Sequence, residues 1–133
     1  MLKPALEGVT VLADDVAALA TFYETALGMV PEVVEEQYVA FGGEGVRLAI
    51  FSRPGMGPNT HGHPDYRTPR AGQAFELNFE CAGRAEVDER FAWLSAHGAV
   101  PVAEPVETEW GQYTAFFADP EGNIHSLFAV LGP

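Results

Sequence analysis

One order of elements occurs twice in this chain, and that repetition limits its possible folds more than any single motif does. Residues 8–13, GVTVLA, are apolar and β-branched and read as a short buried strand. Asp14 and Asp15 follow as cap and first-turn acids. Val16, Leu19, Phe22 or Tyr23, Ala26 and Leu27 then recur at helical spacing until Gly28 stops the helix. Three short strands are expected next, at Val33–Glu36, Tyr38–Phe41 and Val46–Phe51, the last two joined by a turn over Gly42–Gly45. The order then restarts. Phe75–Cys81 reads as a strand, and Ala85–His97 as a helix with Val87, Phe91 and Leu94 on one face and Gly98 as its stop. Val100–Ala103, Tyr113–Ala118 and Ile124–Val130 are the remaining strands, the last pair turned by Asp119–Asn123. Two β-α-β-β-β modules in tandem are therefore expected, giving an α+β chain. The repeat lies in element order more than in letters.

At 133 residues the chain is expected to form one domain, with module one spanning 5–52 and module two 73–133. The connection between them, SRPGMGPNTHGHPDYRTPRAG, covers Ser52–Gly72 and is rich in proline and glycine. A loop of this length is either a plain linker or a flap over a ligand site. Acidic residues number 19 against 7 basic ones, a net charge of −12. Such a field disfavours nucleic acid and anionic membranes as partners. It either serves solubility or attracts a cationic ligand. No stretch approaches the ~18 apolar residues of a membrane span. Pro4 and Glu7 interrupt any signal-peptide core at the N-terminus. The single cysteine, Cys81, leaves no intrachain disulfide, and a cytoplasmic protein is expected.

Two stretches carry a family resemblance. DDVAALATFYETALGM, residues 14–29, resembles the opening helix of the vicinal oxygen chelate superfamily. That group includes glyoxalase I, extradiol dioxygenases, fosfomycin-resistance enzymes and bleomycin-resistance proteins. WGQYTAFFADPEGN, Trp110–Asn123, is similar to the family's terminal hairpin, with its Trp-Gly, aromatic strand and Asp-Pro-Asp/Glu-Gly turn. The resemblance implies that the two modules curl together into a cupped sheet. It also implies a homodimer, with ligand sites in the cups or at the subunit boundary. It does not imply one reaction, because a fold of this kind hosts many.

Metal-using relatives place four ligands on strands, usually His or Gln, Glu, His and Glu. Carried over by position, the resemblance puts these on Gly8, Ala49, Glu76 and Ser126, of which only Glu76 is a donor of the usual kind. A one-residue slip is no rescue, because it turns a strand side chain to the opposite face. No metal or other cofactor is therefore expected. The alternative is a divalent ion held unconventionally through Glu76 with His61, His63 or Glu7. His61, His63 and Asp65 could form a loop site but read more simply as solvated residues. His97 suits a helix C-terminus, and His125 should face away from the ligand positions as a structural residue. No nucleophile elbow or phosphate loop is present, and no catalytic residue is assigned.

If those four positions mark the concave face, strand alternation assigns their neighbours. Thr10 and Leu12 join from the first strand, Arg47 and Phe51 from the fourth, Asn78 and Glu80 from the fifth, and Ile124 and Phe128 from the last. Arg47 and Glu76 either pair with each other or anchor a ligand of either charge. Tyr38 and Trp110 could add flat stacking faces at the rim, or Trp110 could simply pack where the chain enters the hairpin. The expected ligand-binding set is Thr10, Tyr38, Arg47, Phe51, Glu76, Asn78, Trp110, Ser126 and Phe128. Glu104, Glu107 and Glu109 beside Trp110 favour a cationic ligand unless they are only solvated. The expected function is metal-independent sequestration of a small organic molecule, aromatic or cationic, by a homodimer. The alternatives are a metal-dependent lyase, isomerase or dioxygenase of glyoxalase type, and a non-catalytic protein-interaction module.

Overall fold

A computed structural model describes residues 3–132. The chain divides after Arg70 into two compact units, each built on one four-stranded mixed sheet.

In the first unit the elements run β1 (Gly8–Ala13), α1 (Val16–Thr25), β2 (Val30–Val34), β3 (Tyr38–Gly42), β4 (Arg47–Ser52) and a short α2 (Met56–Asn59). Spatially the strands lie β1-β4-β3-β2, with β1 and β4 parallel and the other pairs antiparallel. The helix α1 starts where it does because the Asp15 carboxylate accepts the Ala18 N–H at 3.0 Å, supplying one of the first-turn donors with a partner. Val16, Leu19, Phe22 and Tyr23 fall on one stripe and are buried, and α1 packs against β1, β3 and β4. Gly28, at φ +70°, turns the chain out of the helix in the left-handed region. Beneath α1 the sheet contributes Val11, Ala13, Leu48 and Ile50 to the core. Burying each of the larger side chains contributes about 1.5–3 kcal/mol. Asp15→Ala should lower stability by about 1 kcal/mol. A urea denaturation midpoint unchanged from wild type would show that the cap is dispensable.

The strand expected at Val33–Glu36 begins earlier, at Val30, and ends at Val34. Glu35 N–H donates to the Tyr38 carbonyl at 2.8 Å, so the following residues belong to a turn. Pro31, which has no N–H, is accommodated because β2 is an edge strand, and the register shifts between Pro31 and Val33.

The second unit repeats this plan with β5 (Asn78–Glu80), α3 (Arg84–Ala96), β6 (Val100–Glu107), β7 (Gln112–Ala118) and β8 (Ile124–Val130), ordered β5-β8-β7-β6. Again the first and last strands pair in parallel. The strand β5 is much shorter than the seven residues expected, because side chains take over its ladder. Leu77 N–H donates to His125 Nδ1 at 3.1 Å, and the Gln73 side-chain amide bonds both backbone groups of Ile124, at 2.6 and 2.7 Å. The strand β6 is longer than expected, running on to Glu107 as an irregular edge with two register shifts and with Pro101 and Pro105 tolerated there. Gly98 takes φ +104° where α3 ends.

Candidate functional site

The register of the first sheet sorts its side chains. Thr10 lies opposite Ala49, Leu12 opposite Phe51, and Phe51 opposite Tyr38. These residues therefore share the face opposite the α1 core, as strand alternation requires. On that face lies a cavity of about 460 Å³, within the range that holds small organic ligands. Thr10, Leu12, Tyr38 and Phe51 form its sheet wall, and Met56, Asn59 and Tyr66 form the other. The second wall comes from residues 56–66 of the Ser52–Gly72 segment, so that part of it forms one side of a pocket on the sheet face. Gly55 makes this close approach possible. A Cβ there would stand 2.6 Å from the Phe51 ring, and the Phe51 ring meets the Tyr38 ring edge-on at 6.2 Å between centroids.

Local chemistry shapes the loop wall. The α2 turn closes with Thr60 Oγ1 donating to the Met56 carbonyl at 2.8 Å. His63 Nδ1 then accepts the Asp65 N–H at 3.2 Å, capping a 3-10 turn over Pro64–Tyr66 that presents Tyr66. His63 is thus occupied as a cap, and its ring meets Tyr66 edge-on at 6.2 Å. His61 sits at φ +58°, at the bend between the two turns. Sequence reasoning missed Met56, Asn59 and Tyr66, since turns of three or four residues have no periodicity to read. The available signal was that Tyr66 is the one aromatic in an otherwise polar loop.

Arg47 borders the pocket through Tyr38. Its Nη1 donates to the Tyr38 hydroxyl, while Nε and Nη2 donate to the two oxygens of Glu7 at 2.5 and 3.1 Å. Arg47 thus draws its carboxylate from Glu7, just ahead of β1. This hydrogen bond and the guanidinium charge hold the Glu7 carboxyl below the ordinary carboxylate range, and the same pair raises Arg47 further. The contribution of the pair to stability is present above the ordinary carboxylate pKa and is lost as pH falls through the lowered one. Arg47 is half-buried but Glu7 is 66% exposed, so solvent screening keeps that contribution small.

The remaining sequence-predicted residues lie in the second unit. Ser126, on β8, is buried and donates to Asn78 Oδ1 at 2.6 Å, across the parallel β5–β8 pair. Phe128 and Phe116 are half-buried on the same face of that sheet, where Phe116 pairs with Ser126 and Phe128 with Thr114. Glu76 is exposed, ahead of β5. Trp110 is 73% exposed on the turn before β7, with its Nε1 donating to Gln112 Oε1 at 3.3 Å. His125 is buried on the opposite face of β8, between Phe79 and Phe117, and His97 stacks on Trp93 at the end of α3. Burial pushes the Cys81 thiol up, which makes it a poor nucleophile.

The four positions that would carry metal ligands do not form a donor set. Gly8 has no side chain, and a Cβ there would stand 2.9 Å from the Arg47 carbonyl oxygen and 3.6 Å from Arg47 Nε. A guanidinium therefore lies against the position of the first ligand. Ala49 is buried and apolar, and the Ser126 hydroxyl is committed to Asn78. Among the described residues, no three His, Cys, Asp or Glu side chains gather closely enough to hold a metal ion.

Two β-α-β-β-β units in tandem, the first with a pocket against its open sheet face, define the architecture. The chain belongs to the Glyoxalase/Bleomycin resistance protein/Dioxygenase superfamily, whose family model matches residues 5–126. The fold is also that of solved structures. A glyoxalase/bleomycin resistance protein/dioxygenase family enzyme from Burkholderia phytofirmans superposes with a TM-score of 0.86 at 22% identity, over 96% of this chain and all of the other. A glyoxalase/bleomycin resistance protein/dioxygenase from Nocardioides gives 0.84 at 24% identity, over 98% of this chain and 86% of that one. A lactoylglutathione lyase from Agrobacterium tumefaciens gives 0.70 at 24%, over 96% and 95%. No curated protein matches the sequence. Among the described residues, no helix is long and apolar enough to cross a membrane.

Proposed function

We propose that this chain is a ligand-binding member of its superfamily that sequesters a small organic molecule without the family's metal, as a cytoplasmic homodimer. The observation that carries this reading is the cavity on the first sheet. Tyr38, Phe51 and Tyr66 give it aromatic faces, Met56 gives it an adaptable apolar one, and Thr10 and Asn59 add polar groups. A few polar groups in an apolar, aromatic lining suit an organic ligand. The metal-free part of the reading is supported by Gly8, Ala49 and Ser126, which offer no ligands of the usual kind. The dimer is supported by the exposed valines of both outer strands, Val30, Val33 and Val34 on β2 and Val100, Val102 and Val106 on β6.

Thermal shift against a panel of bicyclic aromatic compounds, with metal analysis of the purified protein, tests the reading. A ligand at 100 times its Kd raises stability by about 2.7 kcal/mol, and Phe51→Ala should abolish the response. Silence across the panel would overturn the binding function. Stoichiometric metal that disappears in Glu76→Ala would favour a metalloenzyme. A monomer in light scattering would remove the dimer from the proposal.

A further inference from the structure

We propose that the pocket on the first sheet takes an organic anion, an aromatic or apolar body bearing a carboxylate, with Arg47 as its charge anchor. The proposal rests on the reading of that cavity as a ligand site and names the class of ligand. It runs against the whole-chain charge of −12, which by itself points to a cation.

Charge along the sequence is not evenly spread. Residues 47–72, which supply β4 and the loop wall of the pocket, contain Arg47, Arg53, Arg67 and Arg70 against a single acid, Asp65. That segment is net positive in a chain where every other region is acidic or neutral. Arg53 is turned to Asp14, 3.4 Å away. Arg67 directly follows the pocket residue Tyr66 and is exposed. The strand and loop that wall the pocket are thus the arginine-rich part of the chain, with Arg47 and Arg53 each facing one acid, Glu7 and Asp14.

Geometry makes Arg47 the anchor. Its Nη1 donates to the oxygen of Tyr38, a pocket-lining residue, which leaves the phenolic proton of Tyr38 to donate to a ligand. Each terminal nitrogen of Arg47 also keeps a further N–H beyond those given to Glu7 and Tyr38. A carboxylate at this end of the pocket would meet a guanidinium and a phenol together, a charge-assisted arrangement. Glu7 already shows that Arg47 accepts a carboxylate there through two nitrogens. With two-thirds of its side chain exposed, Glu7 is a counter-ion that a ligand can displace. A cationic ligand would instead be placed beside a guanidinium, with ring faces in its favour and a Glu7 carboxylate already engaged by Arg47.

Three matched probes test this on the full chain: 2-naphthylacetate, 2-naphthylacetamide and 2-naphthylethylammonium, titrated by calorimetry. The carboxylate should bind at least tenfold tighter than the amide, and the ammonium more weakly than either. Arg47→Met should erase the carboxylate preference, bringing the carboxylate and amide affinities to within twofold of each other. Glu7→Gln, a change at an exposed position, should strengthen carboxylate binding threefold or more by removing the competing internal acid. Amide binding equal to carboxylate, ammonium binding tightest, or a preference unchanged in both variants would overturn the anion proposal while leaving the pocket as a site. No binding of any probe at millimolar concentration would overturn both.

Discussion

Asp119→Ala should destabilise the protein by about 3 kcal/mol, because it strips a buried carboxylate from several donors at once. Asp119 accepts the Glu121 and Asn123 backbone N–H groups at 3.0 Å each, and the Asn123 side-chain amide at 3.0 and 3.2 Å. Its Oδ2 also lies 3.2 Å from His125 Nε2. Since His125 Nδ1 accepts the Leu77 N–H, the proton of the neutral ring sits on Nε2 and is donated to Asp119. Truncation at 119 therefore removes the carboxylate acceptor from a buried imidazole N–H between Phe79 and Phe117. It also frees the turn that sets the β7–β8 register. Asp119→Asn keeps one acceptor oxygen and should cost about half as much. Urea denaturation measures both. A loss below about 1 kcal/mol for the alanine variant would mean that water replaces the network.

Ile50→Ala should cost about 2–5 kcal/mol, the range for emptying a core site that cannot collapse. Ile50 is wholly buried beneath α1, yet its strand neighbours Ala49 and Phe51 face the other side of the sheet, where Phe51 lines the cavity. The substitution thus tests whether the pocket wall depends on the core behind it. The expected result is a large loss of stability with probe affinity retained under conditions where the variant remains folded. Phe51→Ala should do the reverse, losing the probe with a smaller change in stability. Equal effects of the two on both measurements would show that β4 does not separate core from pocket in this way.

How much of this could be read from the sequence follows from the range of each interaction. The terminal turn was legible because Asp119, Pro120, Gly122 and Asn123 act within a few residues of one another. The shared face of Thr10, Leu12 and Phe51 was legible because alternation along a strand is strict. The family was legible from the opening helix and the terminal hairpin. The partner of Arg47 was not, because Glu7 is 40 positions away and meets it only through the parallel β1–β4 register. The shortness of β5 was hidden for a similar reason. It depends on Gln73 and His125 substituting side-chain atoms for backbone ones, which no propensity records. The loop wall was illegible in detail, since the pocket role of Met56, Asn59 and Tyr66 comes from two turns too short to leave a pattern.

The parallel pairing of β1 with β4 also bears on when the pocket comes into being. Hairpins such as β3–β4 close over a few residues, whereas Gly8 must find Arg47 across the whole intervening module. Contacts that span so much chain carry a loop-closure cost and tend to form late in folding. Thr10 and Leu12 arrive with β1, so the cavity is completed only when that strand docks. A molecule bound there would hold a strand expected to dock late, and its stabilisation would act chiefly by slowing departure from the native state. Occupancy of the site would in this sense be a brake on unfolding more than an aid to folding.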